Sequence, residues 1–131
     1  HWPLGFDIGS SFAQRKLFKA FDSRCLGDYI TYGVCERNDQ LELVFDAQVE
    51  ASIFRNIPSN LSSYKNKLTI PATLIYGENT DVFPHHIFRR FIKLNKHIKL
   101  QTTPGGHMFP LESPEQTAKL IAEIVESFPD D

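Results

Sequence analysis

Apolar and polar residues alternate in two rhythms that change near Leu68. Before it, helical spacing dominates. Phe12, Ala13, Leu17, Ala20 and Phe21 recur at that spacing with Gln14, Arg15, Lys16 and Lys19 between them, which predicts an amphipathic helix. Ser23 is placed to cap a second helix whose Leu26, Ile30 and Val34 share a face, and Gly33 stands where a left-handed residue would end it. Leu41–Phe45 is a short strand candidate. Asp46 reads as the cap of a helix through Val49, Ile53 and Ile57, stopped by Pro58, and a further short helix is expected over 61–67.

Beyond Leu68 the rhythm is strand, helix, strand, helix. Leu68–Tyr76 is an apolar run ending at Gly77, which suits a strand buried on both faces of a parallel sheet, with Pro71 near its start. Ile87, Phe88, Phe91, Ile92 and Leu94 pattern a helix that Pro84 can start. Ile98–Thr102 is the second strand. Ser113-Pro114-Glu115-Gln116 then opens a helix with a capping-box pattern, followed by an apolar face of Thr117, Leu120, Ile121, Ile124, Val125 and Phe128. Short connections between such elements imply a right-handed parallel unit. The expected organisation is therefore a mainly helical segment over 1–67 and an α/β segment over 68–131. Two strands and two helices make a small core, so the second segment reads as the last part of a larger doubly wound sheet.

Composition narrows the classes of partner. The chain has 131 residues, 41% of them hydrophobic and 23% charged, with a formal net charge of -2. These are values of an ordinary globular domain, and they argue against an extended nucleic-acid surface. No run approaches the roughly 18 apolar residues of a membrane span. Two cysteines, Cys25 and Cys35, form neither a disulfide framework nor a metal-site spacing, and a reducing cytoplasm is the simplest compartment. Met108 is the only methionine and the chain opens on His1, so the expectation is a processed or excised part of a longer protein.

Candidate chemistry collects after the two strands. Thr103-Pro104-Gly105-Gly106-His107 sets a histidine behind two glycines, in a loop leading to a helix. Ligand and catalytic groups of parallel sheets gather at the carboxyl ends of strands, and a histidine there can act as a general base near neutral pH. The alternative is an ordinary exposed loop histidine. Tyr76-Gly77-Glu78-Asn79-Thr80-Asp81 brings carboxylates to the same edge. Asp81 could hold the imidazole in one tautomer, or could serve only as a turn or helix-cap residue. His85 and His86 adjoin this loop, but no acidic or thiol set at metal spacing accompanies them, and no metal site is expected.

Over roughly 68–127 the sequence resembles the α/β-hydrolase superfamily. The resemblance lies in Pro71-Ala72-Thr73-Leu74-Ile75-Tyr76-Gly77 and in Gly106-His107-Met108-Phe109-Pro110-Leu111-Glu112-Ser113-Pro114-Glu115. It implies that His107 is the catalytic histidine, that its acid is Asp81 or else a residue on an earlier strand that this chain does not contain, and that residues 1–67 form a cap before the acid strand. Two departures stand out. The usual acid position, three residues after the glycine, is Thr80, with Asp81 one further on. The nucleophile elbow Gly-x-Ser-x-Gly is missing. Its one look-alike, Gly9-Ser10-Ser11-Phe12-Ala13, ends in alanine, and its Ser10 or Ser11 fits better as the cap of the helix that follows.

The implied function is the cap and C-terminal portion of a hydrolase, acting on an ester, thioester or related carbonyl of a small molecule, without cofactor or metal. Its partner would be the missing N-terminal part or a second copy of the chain, with neither nucleic acid nor membrane involved. Two alternatives stand beside it: a non-catalytic, self-associating module, and a parent with an Asp nucleophile of the dehalogenase or epoxide hydrolase type.

Overall fold

A computed structural model describes residues 1–56, 63, 68–82 and 84–129. The chain forms two compact units, His1–Ile57 and Pro58–Asp131. No helix among the described residues is long and apolar enough to cross a membrane.

The first unit opens with β1 (Trp2–Pro3) and α1 (Ile8–Ala13), followed by α2 (Ser23–Gly33), β2 (Val34–Arg37), β3 (Gln40–Leu43) and α3 (Ala47–Arg55). The strands make an antiparallel sheet in the order β1-β3-β2. The hairpin joining β2 to β3 turns on Asn38 and Asp39, both at positive φ (51° and 58°). Asn and Asp tolerate that conformation, and two such residues match the twist of the flanking strands. The hydrophobic pattern predicts only the second of these strands, because Val34–Arg37 carries too few apolar residues to stand out.

Three local expectations change in this unit. The helix expected through Phe21 stops at Ala13, and the chain continues in tight turns, with the Phe18 N–H on the Arg15 carbonyl and the Phe21 N–H on the Phe18 carbonyl. Residues six apart do not meet on a straight helix. The turns instead stack Phe18 on Phe12 with ring centroids 4.9 Å apart. Gly33 is not left-handed: α2 runs directly into β2, with Val34 already extended (φ -123°, ψ 140°). The Gly33 carbonyl accepts the Val44 N–H at 2.9 Å, so the helix end is satisfied from beyond β3 and needs no glycine turn. The cap of α2 is Asp22, whose carboxylate accepts the Arg24 N–H, and Ser23 is the first helical residue.

Ile8, Phe12 and Phe18 form the buried core of this unit, with Trp2, Phe21, Leu26, Tyr29, Ile30, Val34 and Leu43 packed on it. The predicted face of α2 is therefore the face it buries. Asp46 caps α3 through the Gln48 N–H at 2.8 Å, as expected. The proposed stop at Ile57–Pro58 lies outside the described residues, as does the short helix over 61–67 apart from Ser63.

The second unit follows its pattern in element order, but its first strand begins at Ala72, so Leu68–Pro71 of the expected strand lie before it. β4 (Ala72–Gly77), α4 (His85–Leu94), β5 (Ile98–Thr103), α5 (Phe109–Glu112) and α6 (Pro114–Glu126) come in that order. β4 and β5 pair in parallel, from Ala72 opposite Ile98 to Gly77 opposite Thr103. Parallel neighbours require a crossover between them, and α4 lies in that connection. α4 begins just after Pro84. The capping box before α6 does not form. Ser113 makes no side-chain cap bond, because it also terminates the one-turn α5, donating its N–H to the Phe109 carbonyl. The result is a mixed α/β fold whose two parallel strands end side by side.

Candidate functional site

The parallel register brings the ends of β4 and β5, Gly77 and Thr103, into line, and the loops beyond them bond to each other. The Glu78 N–H donates to the Thr103 carbonyl at 2.9 Å, and the Asn79 N–H donates to the Gly105 carbonyl at 3.0 Å. Within the first loop the Thr80 N–H turns back onto the Gly77 carbonyl at 3.1 Å. Gly105 has φ 115°, a conformation that side chains rarely adopt. Gly106 follows, and then His107.

His107 is exposed on this double loop. Its Nδ1 lies 3.5 Å from the Thr80 hydroxyl oxygen, so the two loops meet through these side chains as well as through their backbones. The hydroxyl accepts when Nδ1 carries the proton and donates when it does not. A histidine that works as a base through Nε2 needs its proton on Nδ1, and the Thr80 hydroxyl can accept that proton's hydrogen bond. Asp81 follows Thr80 directly and is exposed in the same loop.

Behind His107, the half-buried Glu112 carboxylate accepts the Gly106 N–H at 2.8 Å. Sequence reasoning missed both Thr80 and Glu112 as neighbours of the histidine loop. Thr80 had a signal, since it occupies the third position after Gly77. Glu112 had none beyond lying five residues past the histidine.

The serines of the elbow look-alike lie in the first unit. Ser10 belongs to the first turn of α1, donating its hydroxyl to Asp7 Oδ2 at 2.5 Å and its N–H to Asp7 Oδ1 at 2.9 Å. It is tied into a helix start capped by Asp7. A cavity of about 430 Å³ in the same unit is lined by residues including Trp2, Arg37, Glu42 and Phe45. A second, of about 310 Å³, lies between the end of β5 and α6, against Thr103, Gln116, Lys119 and Leu120. His107 lines neither.

No protein-family model and no curated protein matches this sequence. Solved structures do. The chain superposes on E-2-(acetamidomethylene)succinate hydrolase with a TM-score of 0.80, at 18% identity, over 92% of this chain and 44% of that one. The peroxisomal α/β-hydrolase Lpx1 of Saccharomyces cerevisiae gives 0.75 at 14% identity, over 96% and 36%. A thioesterase domain from the curacin biosynthetic pathway gives 0.72 at 18%, over 87% and 42%. The chain thus spans less than half the length of each of these structures, and identities at this level carry the fold alone.

Proposed function

From a chain that has part of the α/β-hydrolase fold, we propose that it belongs to a hydrolase of an ester, thioester or related carbonyl compound, to which it supplies the catalytic base His107. The observation that carries this reading is the fusion of the two loops. His107 stands at the carboxyl end of a parallel strand, with Nδ1 facing the Thr80 hydroxyl of the neighbouring loop.

In this reading His107 Nε2 removes the proton of a nucleophilic hydroxyl as that oxygen attacks the carbonyl carbon. The protonated imidazole then gives the proton to the leaving group as the carbon–leaving-group bond breaks. Asp81 is the acid that holds Nδ1–H and stabilises the imidazolium. The hydroxyl and the oxyanion donors come from residues outside this chain, for the sequence holds no elbow of the required type. Residues 1–67 act as a cap over the substrate. The reaction needs no cofactor or metal. A cytoplasmic setting suits Cys25 and Cys35, which are free thiols.

The experiment is a p-nitrophenyl ester assay on the protein that carries this chain, with fluorophosphonate labelling of its nucleophile. H107A is expected to abolish turnover, since general acid–base catalysis contributes about 10²–10⁴-fold. Wild-type turnover in H107A overturns the reading. The 131-residue chain alone is expected neither to turn over nor to label, and stoichiometric labelling of Ser10 or Ser11 with turnover would overturn the assignment of the nucleophile to other residues.

A further inference from the structure

The hydrolytic reading leaves the carboxylate of Glu112 without a role. Glu112 ends the one-turn α5, and that turn carries it back to the loop it has just left. Its Oε2 accepts the Gly106 N–H at 2.8 Å, a charge-assisted bond from a half-buried position. A Cβ on Gly105 would stand 2.9 Å from Oε2, and one on Gly106 would stand 2.8 Å from Oε1. Both carboxylate oxygens therefore lie where side chains at 105 and 106 would have to be.

The carbonyl of Gly106 is held as well, by the Phe109 N–H at 3.3 Å. The peptide groups on both sides of Gly106 are thus tied down, one to Glu112 and one to the start of α5. Two successive glycines have the widest backbone freedom in the chain, and the residue after them inherits it. A proton-transfer base tolerates displacements of only about 0.5 Å.

We infer that Glu112 is a positioning residue for His107: by holding the Gly106 N–H, its carboxylate fixes the direction in which the imidazole leaves the backbone. This rests on His107 being the base of the proposed hydrolase. Glu112 touches no reacting atom and acts through one peptide group. A carboxylate that only stabilised the fold would change the unfolding midpoint and leave kcat per folded molecule alone.

The test compares E112A, E112Q, E112D and H107A in the protein that carries this chain. It reads kcat and KM on a p-nitrophenyl ester, the unfolding midpoint, and the exchange rate of the Gly106 amide. E112A is expected to lower kcat about 100-fold with KM within about twofold, as misplacement of a reacting group by about 1 Å does. Its Gly106 amide should exchange at least about tenfold faster, in line with the loss of a bond to a charged group. E112Q offers an amide oxygen to the same N–H and should recover kcat to within about fivefold. E112D keeps the charge but is one methylene short of the amide, and should behave like E112A. Wild-type kcat in E112A or E112D overturns the inference, as does E112Q as impaired as E112A. If E112A does not fold, E112D decides. Turnover in H107A would instead overturn the hydrolytic reading, which no result at Glu112 imitates.

Discussion

Gly77, the last residue of β4, lies directly against the carbonyl of Gly106, the residue before His107. A Cβ at position 77 would overlap that oxygen and would stand 2.6 Å from the carbonyl oxygen of Gly105. Both obstructing atoms are backbone, and the backbone there is held by hydrogen bonds from Asn79 and Phe109. No rotamer change can relieve the clash, so the two loops share one requirement for a missing side chain.

G77A should therefore destabilise the second unit by about 3 kcal/mol, the upper end of the usual overpacking penalty. Urea unfolding at constant m-value measures it. A loss under about 0.5 kcal/mol would mean that the loops separate at little cost.

Thr80 faces Nδ1 of His107 across 3.5 Å. In the proposed hydrolase, T80V removes the hydroxyl while keeping the branched shape, and should lower kcat about fivefold, the worth of roughly one neutral hydrogen bond. T80S should stay near wild type. Equal rates in T80V and wild type would show that the Thr80 hydroxyl does not orient the imidazole.

In the first unit Phe12 is the most deeply buried side chain, 2% exposed, and contacts Trp2, Phe18 and Tyr29 through their rings. F12A should cost about 3–5 kcal/mol of unfolding free energy. Y32A, at a position 77% exposed, is the control and should change stability by less than about 0.5 kcal/mol.

The carboxyl of Asp7 is held below its ordinary range, first by the Ser10 hydroxyl and then by the backbone N–H groups of Ser10 and Gly9, against a smaller opposing effect of desolvation. A depressed folded-state pKa contributes stability that is present above the unfolded-state pKa and is lost as pH falls through the folded-state value. D7N has no charge to lose. The stability advantage of wild type over D7N should be full at pH 6 and shrink from about pH 4 downward. Parallel urea midpoints at pH 6 and pH 3 read the difference, and an advantage independent of pH would remove the ionised cap from the account.

Much of the second unit was legible in the sequence because its elements are specified locally. The apolar run into Gly77 and the apolar spacings over Ile87–Phe91 and Leu120–Ile124 require no knowledge of distant residues, and a parallel pair follows from their order. His107 was legible too, as a histidine behind two glycines at a strand end. The first unit was less legible. Its hairpin depends on two left-handed residues, Asn38 and Asp39, and its core depends on a turn that stacks Phe18 on Phe12, which no helical periodicity encodes.

Tertiary structure alone decided what surrounds the histidine. That Thr80 meets Nδ1 and that Gly77 must be bare both depend on the parallel register aligning Gly77 with Thr103, while the local turn of α5 brings Glu112 back to Gly106. Loop side-chain directions are set by hydrogen bonds between segments far apart in the chain. Their geometry comes into being only when β4 and β5 pair, because pairing is what brings the two loop backbones within reach of each other.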